Sequence, residues 1–390
     1  MHWSEVVDIY KTISVQLRKS KTKKINAGMI KNKSNLFNLF RKDEIFASFK
    51  NIRGTPQYFK SMQLDMIAKI RCFGTYTFFI TGSAADFFWP ELIIVIARQY
   101  GSNLTIDEVE QMSMSDRRMW LARNPVTAAR HIDFIFTKLW KDVILSGLHP
   151  VGQILNYDVR KEFQARGAAH FHSAVHVKDA PKLGKDSDES VIHFIDKYIF
   201  VDNPFPDDVE LQDLIDKRQR HYHTRTCKRK MDASCRFQFP HLPIPETLIS
   251  GPRESGLEFS KAVVKNLKSK ISDQSFSTLN EFLLSSLMSY EQYKLVLGTS
   301  EKKTIILKRS ISSVNTNPFN PYILKALRAN MDIQFIVDAW SCIAYITSYI
   351  CKPEKSMSKM MRNAVKESDS LYDQLKSIGS FFEESRSFRT

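Results

Sequence analysis

The sequence predicts an α+β fold in which helices pack on one face of an antiparallel sheet. Three observations indicate it: a β-rich run at 75–81, a hairpin pattern at 151–177, and helical stretches before, between and after them. The order β-α-α-β-β-α differs from the strict strand–helix alternation of a doubly wound parallel sheet. An antiparallel sheet with flanking helices is therefore the predicted architecture.

The first half of the chain supplies helices and one strand. The predicted elements are a helix at 56–72, the strand at 75–81, a helix at 91–100 and helical structure throughout 104–148. Pro90 suits the start of the second helix, because proline fits the first helical turn. Thr105 and Glu108 have the spacing of a capping box.

The second half contains the hairpin and further helices. The predicted elements are strands at 151–165 and 169–177, a helix at 190–200, mostly helical structure at 251–310 with a strand from Thr304 to Leu307, a turn-rich linker from Asn315 to Tyr322 and a helix at 339–352. Pro353 ends the last helix.

The hairpin carries the most informative residues. Its second strand places His170, His172 and His176 on one face, because strand side chains alternate. With the turn centred on Gly167, His170 lies opposite Gln164 and His172 lies opposite Glu162. Two imidazoles and an oxygen ligand then lie close together, which outlines a metal site. The alternative is an ordinary strand with surface histidines.

A second group of ligand-type residues lies at 221–235. It comprises His221, His223, Cys227 and Cys235. Thiolates and imidazoles are the ligands of tetrahedral zinc, although the histidine pair precedes the cysteines, unlike ordinary zinc fingers. The segment is therefore a candidate structural zinc site. The alternative is buried free thiols beside surface histidines.

Composition points to a polyanionic partner. The 390 residues include 57 Lys and Arg against 42 Asp and Glu, a net charge of +15, and 12% are aromatic. Basic residues interleaved with aromatic ones favour nucleic acid over a membrane, because bases stack and phosphates pair. The cationic run Lys19–Lys24 is a candidate phosphate contact or nuclear import signal; otherwise it is a solvated arm.

Several classes of protein are disfavoured. The five cysteines are few, odd in number and scattered, unlike a secreted disulfide framework. No apolar run approaches a membrane span, and the first residues do not resemble a signal peptide, so a soluble intracellular protein is expected. The sequence contains no P-loop, Gly-x-Ser-x-Gly elbow or dinucleotide fingerprint, which disfavours ATPase and hydride-transfer functions.

Five collinear stretches resemble the replication-initiator (Rep) domain of Helitron transposases. Proteins with this domain are often described as helicase-like. The five stretches are Phe78–Pro90, Glu162–His172, Phe194–Pro204, the 221–240 run ending CRFQFP, and Asn330–Ser358. Together they extend over about residues 50–360. Two positions depart from the family pattern: Tyr76 replaces a usual proline, and His176 replaces a bulky apolar residue or tryptophan.

The resemblance implies an HUH endonuclease with a palm-like antiparallel sheet. His170 and His172, with Glu162 or Gln164, would hold one Mg²⁺ or Mn²⁺ that polarises the scissile phosphate. Arg166 and Lys161 are candidate DNA-binding residues of the same hairpin. Single-stranded DNA, from transposon ends and target, is the implied substrate.

The resemblance also implies a nucleophile near the end of the chain. Tyr345 or Tyr349 would attack the phosphate, giving a 5′-phosphotyrosine, and Lys352 lies on the same helical face. Two tyrosines one turn apart would allow nicking and strand transfer. A nuclear location follows from the same resemblance. The superfamily-one helicase that normally follows this domain is missing, which suggests a fragment or a nuclease-only derivative.

The predicted domain organisation follows these features. It comprises a basic arm (1–55), an HUH core (56–205), a His/Cys-rich insert (206–250), a helical and linker region (251–330), a catalytic-tyrosine helix (331–365) and a polar tail (366–390). Two rival functions stay open at this point. One is a domesticated, non-catalytic nucleic-acid-binding protein, and the other is a zinc-stabilised interaction module.

Overall fold

The computed structural model describes residues 56–163, 169–224, 227–228, 235–252 and 256–337. They belong to two compact units, one with 56–74 and 122–130, the other with 75–121 and the described residues from 131 to 337. The domain boundaries expected from the sequence stay predictions.

The strands confirm the antiparallel sheet and thus the α+β class. They are β1 Phe78–Ser83, β2 Ile154–Phe163, β3 Ala169–Val177, β4 Leu248–Ser250, β5 Thr304–Ile306 and β6 Met331–Phe335. The main sheet has the order β2-β3-β1-β6, and every neighbouring pair in it is antiparallel. β4 and β5 form a separate pair. The histidine-bearing strand β3 therefore lies inside the main sheet.

Strand β1 lies further along the chain than the predicted 75–81. Gly82 and Ser83, which lie beyond the predicted strand, pair with Phe171 and His170 of β3. Gly82 suits this position because a Cβ there would lie 2.3 Å from the Phe171 ring. The missing side chain thus allows the ring of the neighbouring strand to pack closely against β1.

Alternation divides the main sheet into an apolar and a polar face. The apolar face is covered by helices: the Phe136 and Phe171 rings lie 5.2 Å apart, and the Phe194 and Phe78 rings 5.6 Å apart. Register places a different set of residues on the polar face: Asp158, Arg160, Glu162, His170, His172, His176, Thr81, Ser83 and Asp332. The histidines and carboxylates of the main sheet therefore lie on this second face.

The helices follow most of the predicted positions. They are α1 Pro56–Phe73, α2 Pro90–Gln99, α3 Ile106–Gln111, α4 Met114–Arg123, α5 Pro125–Lys138, α6 Asp188–Tyr198, α7 Val209–Leu214, α8 Leu257–Asp273, α9 Leu279–Ser285, α10 Tyr290–Leu297 and α11 Pro321–Leu327. Short π-helical segments at Leu139–Ile144 and Ile215–Gln219 extend α5 and α7. None of the described helices combines the length and apolar content needed to cross a bilayer.

Local capping chemistry explains where helices begin. The predicted capping box of Thr105 and Glu108 is present at the start of α3. The predicted linker at 315–322 overlaps α11: the Asn320 side chain accepts from the Ile323 N–H, and Pro321 occupies the first turn. The Asn-Pro pair therefore starts a helix there.

A second hydrophobic core lies in the region 242–311. Its buried members are Leu242, Ile244, Leu267, Phe282, Leu283, Tyr293 and Leu297. The Tyr293 hydroxyl donates to the Pro243 carbonyl at 2.7 Å, so this buried polar group is satisfied. The helices α8 to α10 are thus held around a core of their own.

Candidate functional site

The hairpin brings the predicted metal-ligand residues together in a different register. His170 pairs with Glu162, and His172 pairs with Arg160. The expected opposition of His170 to Gln164 and of His172 to Glu162 is therefore wrong, because the observed pairing centres the turn one residue earlier. The slip is two residues along β2, which preserves the face that each side chain occupies. Gln164 itself lies outside the described residues.

Direct contacts link both histidines to neighbouring strands. His172 Nε2 lies 3.1 Å from Glu162 Oε2, a diagonal contact across the hairpin. His170 Nδ1 lies 2.9 Å from Ser83 Oγ of β1. The two imidazole rings are nearly parallel at 17°, with centroids 6.5 Å apart. Ser83 and Glu162 therefore orient the histidine pair from opposite sides of β3.

Electrostatics favour the ligand form of His172. Burial lowers the pKa of His172, with Glu162 opposing the shift and His170 adding to it. The Phe79 ring stacks against this imidazole at 6.1 Å. A neutral imidazole is the state that binds a metal, so the environment suits coordination at neutral pH.

Asp332 is a site candidate that the sequence analysis missed. The register places it in one cross-strand row with Arg160, His172 and Thr81, two strands from His172. Burial raises the pKa of its carboxyl to about 6, although the Gln334 amide donates to it at 2.7 Å. The alternation of apolar and polar residues in β6 was the available signal.

His176 lies on the same face but in a separate group. Its ring is buried and lies 4.0 Å from the Tyr76 ring, centroid to centroid. The Tyr76 hydroxyl donates to Asp158 at 2.5 Å. The two departures from the family pattern therefore contact each other.

The remaining predicted residues of this site are placed elsewhere or not described. Lys161 pairs with Phe171 on the opposite face of the sheet, and its ammonium group contacts Asp133. Its role in DNA binding stays a prediction. Arg166, Tyr345, Tyr349 and Lys352 lie outside the described residues.

The His/Cys cluster is assembled as the sequence predicts. Ligand atoms of His221, His223, Cys227 and Cys235 all lie within 4.8 Å of one another. Cys227 Sγ lies 3.6 Å from His223 Nδ1, and Cys235 Sγ lies 3.4 Å from His221 Nε2. These four side chains form a cluster that suits metal binding.

Hydrogen bonds favour the thiolate form of Cys227. Burial acts to raise the pKa of this thiol, but the Thr224 backbone N–H, 3.2 Å from the sulfur, contributes to a net lowering. A thiolate is the form of cysteine that binds a metal. The local backbone therefore prepares this sulfur for coordination.

The segment before the cluster is tied to the edge strand β6. With the Gln219 amide oriented for its contacts, Nε2 donates to the Met331 carbonyl at 2.9 Å and Oε1 accepts from the Met331 N–H at 3.1 Å. The Asn330 amide also donates to the Arg218 carbonyl at 2.9 Å. Gln219 thus closes part of the β6 edge.

Comparison with known proteins identifies the N-terminal part of the chain. Residues 6–175 match the family model of the Helitron helicase-like domain at the N-terminus. A search of curated proteins finds no match. The matched stretch is therefore Helitron-related, which confirms the resemblance there. It contains Glu162, His170 and His172 and ends before the His/Cys cluster.

Proposed function

We propose that this protein nicks and rejoins single-stranded DNA during rolling-circle transposition, through a 5′-phosphotyrosine and with a divalent metal. The observation that carries the proposal is the grouping of His170, His172 and Glu162 on the polar face of an antiparallel sheet. The grouping lies within the Helitron-related stretch. A transposon-associated enzyme is consistent with both.

One pair of the proposed donors has a spacing that suits Mg²⁺ or Mn²⁺. Adjacent ligands of an octahedral ion lie about 3.0 Å apart when each bond is about 2.1 Å. His172 Nε2 and Glu162 Oε2 have this spacing, at 3.1 Å. The contact between Ser83 and His170 Nδ1 leaves Nε2 of that ring as the ligand atom. When bound, the metal neutralises charge on the scissile phosphate.

The proposed nucleophile is Tyr345 or Tyr349. A phenol has a pKa of about 10, and the cationic Lys352 favours its deprotonation. The phenolate oxygen forms a bond to phosphorus, the bond from phosphorus to the 3′ oxygen breaks, and that oxygen leaves as a protonated 3′-OH. The phosphotyrosine conserves the ester bond, so rejoining reverses the same exchange without ATP.

The substrate and partners follow from this chemistry. A phosphate must reach a tyrosine in line, which a strand without a paired complement allows. Opening of a duplex is assigned to the superfamily-one helicase that is normally fused to such a domain. The nucleus, where transposon DNA resides, is the proposed location.

Zinc is the proposed occupant of the His/Cys cluster. Neighbouring ligands of tetrahedral zinc lie about 3.5 Å apart for bonds of about 2.0–2.3 Å. The two measured sulfur–nitrogen distances in the cluster, 3.4 and 3.6 Å, agree with this spacing. The ion would hold the segment folded from His221 to Cys235.

A covalent-adduct assay tests the function. The protein is incubated with a labelled single-stranded oligonucleotide pool and Mn²⁺ and run on a denaturing gel. We expect a protein–DNA band that is lost in Tyr345→Phe/Tyr349→Phe and in His170→Ala. Nicking by His170→Ala at the wild-type rate would exclude the metal assignment. Salt-sensitive binding without an adduct would establish the non-catalytic binding protein instead.

A further inference from the structure

Two exposed aromatic side chains flank the ligands of the His/Cys cluster. Tyr222 lies between His221 and His223 and is 67% exposed. Phe237 follows Cys235 by two residues and is 48% exposed. The two cysteines are therefore buried, whereas the aromatic rings beside the ligands are open to solvent.

Packing fixes the backbone that carries these rings. The His221 imidazole stacks on Phe239 with centroids 4.5 Å apart and an angle of 12°. The Phe237 ring meets the same imidazole edge-on at 5.6 Å. The His221 N–H donates to the Asn315 carbonyl at 2.7 Å. The exposed rings thus project from an ordered support.

The charge of this region is strongly positive. The sequence from 221 to 236 contains five basic residues, Arg225, Lys228, Arg229, Lys230 and Arg236, against one acidic residue, Asp232. The preceding Lys217 and Arg220 pair with Asp213 and Asp216. The Arg236 guanidinium lies over the Phe237 ring at 4.5 Å from its centroid. An arginine beside an exposed ring offers both a stacking plane and a phosphate partner.

We infer that Tyr222, Phe237 and Arg236 form a stacking platform for unpaired bases of single-stranded DNA, separate from the histidine site on the sheet. Exposed aromatic faces accept bases of any sequence, and basic residues attract the backbone. Duplex DNA keeps its base faces stacked internally and leaves the rings without partners. The choice of DNA as the polymer rests on the proposed function.

Binding of a single-stranded oligonucleotide to the full chain tests the platform. The probe is a fluorescein-labelled 20-mer of mixed sequence, measured by anisotropy with zinc-loaded protein. We expect Tyr222→Ala and Phe237→Ala each to raise Kd about 5- to 100-fold, as loss of one stacked base does. Tyr222→Phe keeps the ring and should bind like wild type. Phe259→Ala, which removes another exposed ring (69%), is the matched control.

Three results would overturn the platform. They are unchanged Kd in both alanine variants, equal weakening in Phe259→Ala, and equal weakening for a duplex of the same sequence. Zinc content and melting temperature are measured for every variant. If Tyr222→Ala loses zinc, Tyr222→Leu replaces it, and equal binding by the Leu and Phe variants would exclude stacking.

The test separates the platform from the nuclease. Binding is read without cleavage, so it is informative even if no adduct forms. If the adduct assay succeeds, Tyr222→Ala should need a higher oligonucleotide concentration for half-maximal adduct, raised by the same factor as its Kd. Loss of adduct under saturation would contradict a role confined to binding.

Discussion

Ser83 contacts the ring nitrogen of His170 that a metal would leave free. A hydrogen bond to the other ring nitrogen of a metal-binding histidine orients the ligand and contributes about 10- to 100-fold to metal affinity or activity. We expect Ser83→Ala to raise the Mn²⁺ concentration for half-maximal adduct formation by about that factor, with activity recovered at high Mn²⁺. A metal titration of adduct yield measures it. Ser269→Ala, on helix α8, should change nothing, and an unchanged titration for Ser83→Ala would contradict the orienting role.

Asp332 is expected to make the stability of the fold depend on pH. Its pKa of about 6 in the folded protein exceeds the ordinary aspartate pKa of 3.8, so the folded state binds more protons between these values. Stability contributed by this group is therefore present below about pH 4 and lost as the pH rises through 6. We expect Asp332→Asn to raise Tm by a few degrees at pH 7.5 and to leave it unchanged at pH 3.5. Equal shifts at both pH values would contradict a desolvated carboxyl.

At the scale of the element, the His/Cys cluster should act as a metal-dependent fold. Cys235→Ser removes one of four ligands, so we expect loss of one bound zinc and a lower Tm. Zinc analysis and thermal melting measure both effects. Cys72→Ser is the matched control because Cys72 is an exposed free cysteine of α1. Full zinc content in Cys235→Ser would show that this sulfur is not a ligand.

The edge of β6 provides a second prediction at this scale. Gln219→Ala removes two hydrogen bonds to Met331. The buried N–H and carbonyl of Met331 then lack the Gln219 amide as a partner. A buried polar group left unsatisfied costs about 1–3 kcal/mol, which we expect as the loss in free energy of unfolding by urea. Gln274→Ala, at an exposed helix end, should cost little. Equal losses for both variants would contradict the edge-closing role.

The hairpin and the helix at 321–327 show which structural features the sequence pattern could predict. Alternation fixed which residues of the hairpin share a face, because it depends on the strand alone. The register depends on how the chain reverses between the two strands, which composition does not specify, and the predicted pairing differed from the observed one by two residues. Asn320-Pro321 lies in the predicted linker but begins a helix, because asparagine and proline are common both in turns and at helix starts.

For the whole molecule, the net charge of +15 suits binding to the proposed DNA substrate. Each phosphate neutralised on a single strand contributes about −0.7 to the slope of log affinity against log salt. We expect a steep negative slope for the full chain, and one about 0.7 shallower for Arg236→Gln. Anisotropy titrations from low to physiological salt measure both. A slope near zero for the wild type would contradict phosphate-dominated binding.

The proposed ligands of each cluster lie close together in the sequence, whereas the contacts that support them join residues far apart in the sequence. Each cluster lies within one short segment, so residue type and spacing identified its members. The supports join distant parts of the chain: Ser83 and His170 are 87 residues apart, and Asp332 reaches the histidine row only through the sheet order. Such pairings depend on tertiary structure, which local periodicity does not contain.

The interior position of β3 restricts the movement of the histidines that it carries. Hydrogen-bonded ladders on both sides, to β2 and to β1, restrain this strand, so displacing it would break two sets of bonds. Its amide protons should exchange with solvent deuterium among the slowest in the protein. In the proposed reaction, the histidines would stay fixed while one DNA end replaces another. That exchange would then depend on movement of the DNA and of the nucleophile relative to the sheet.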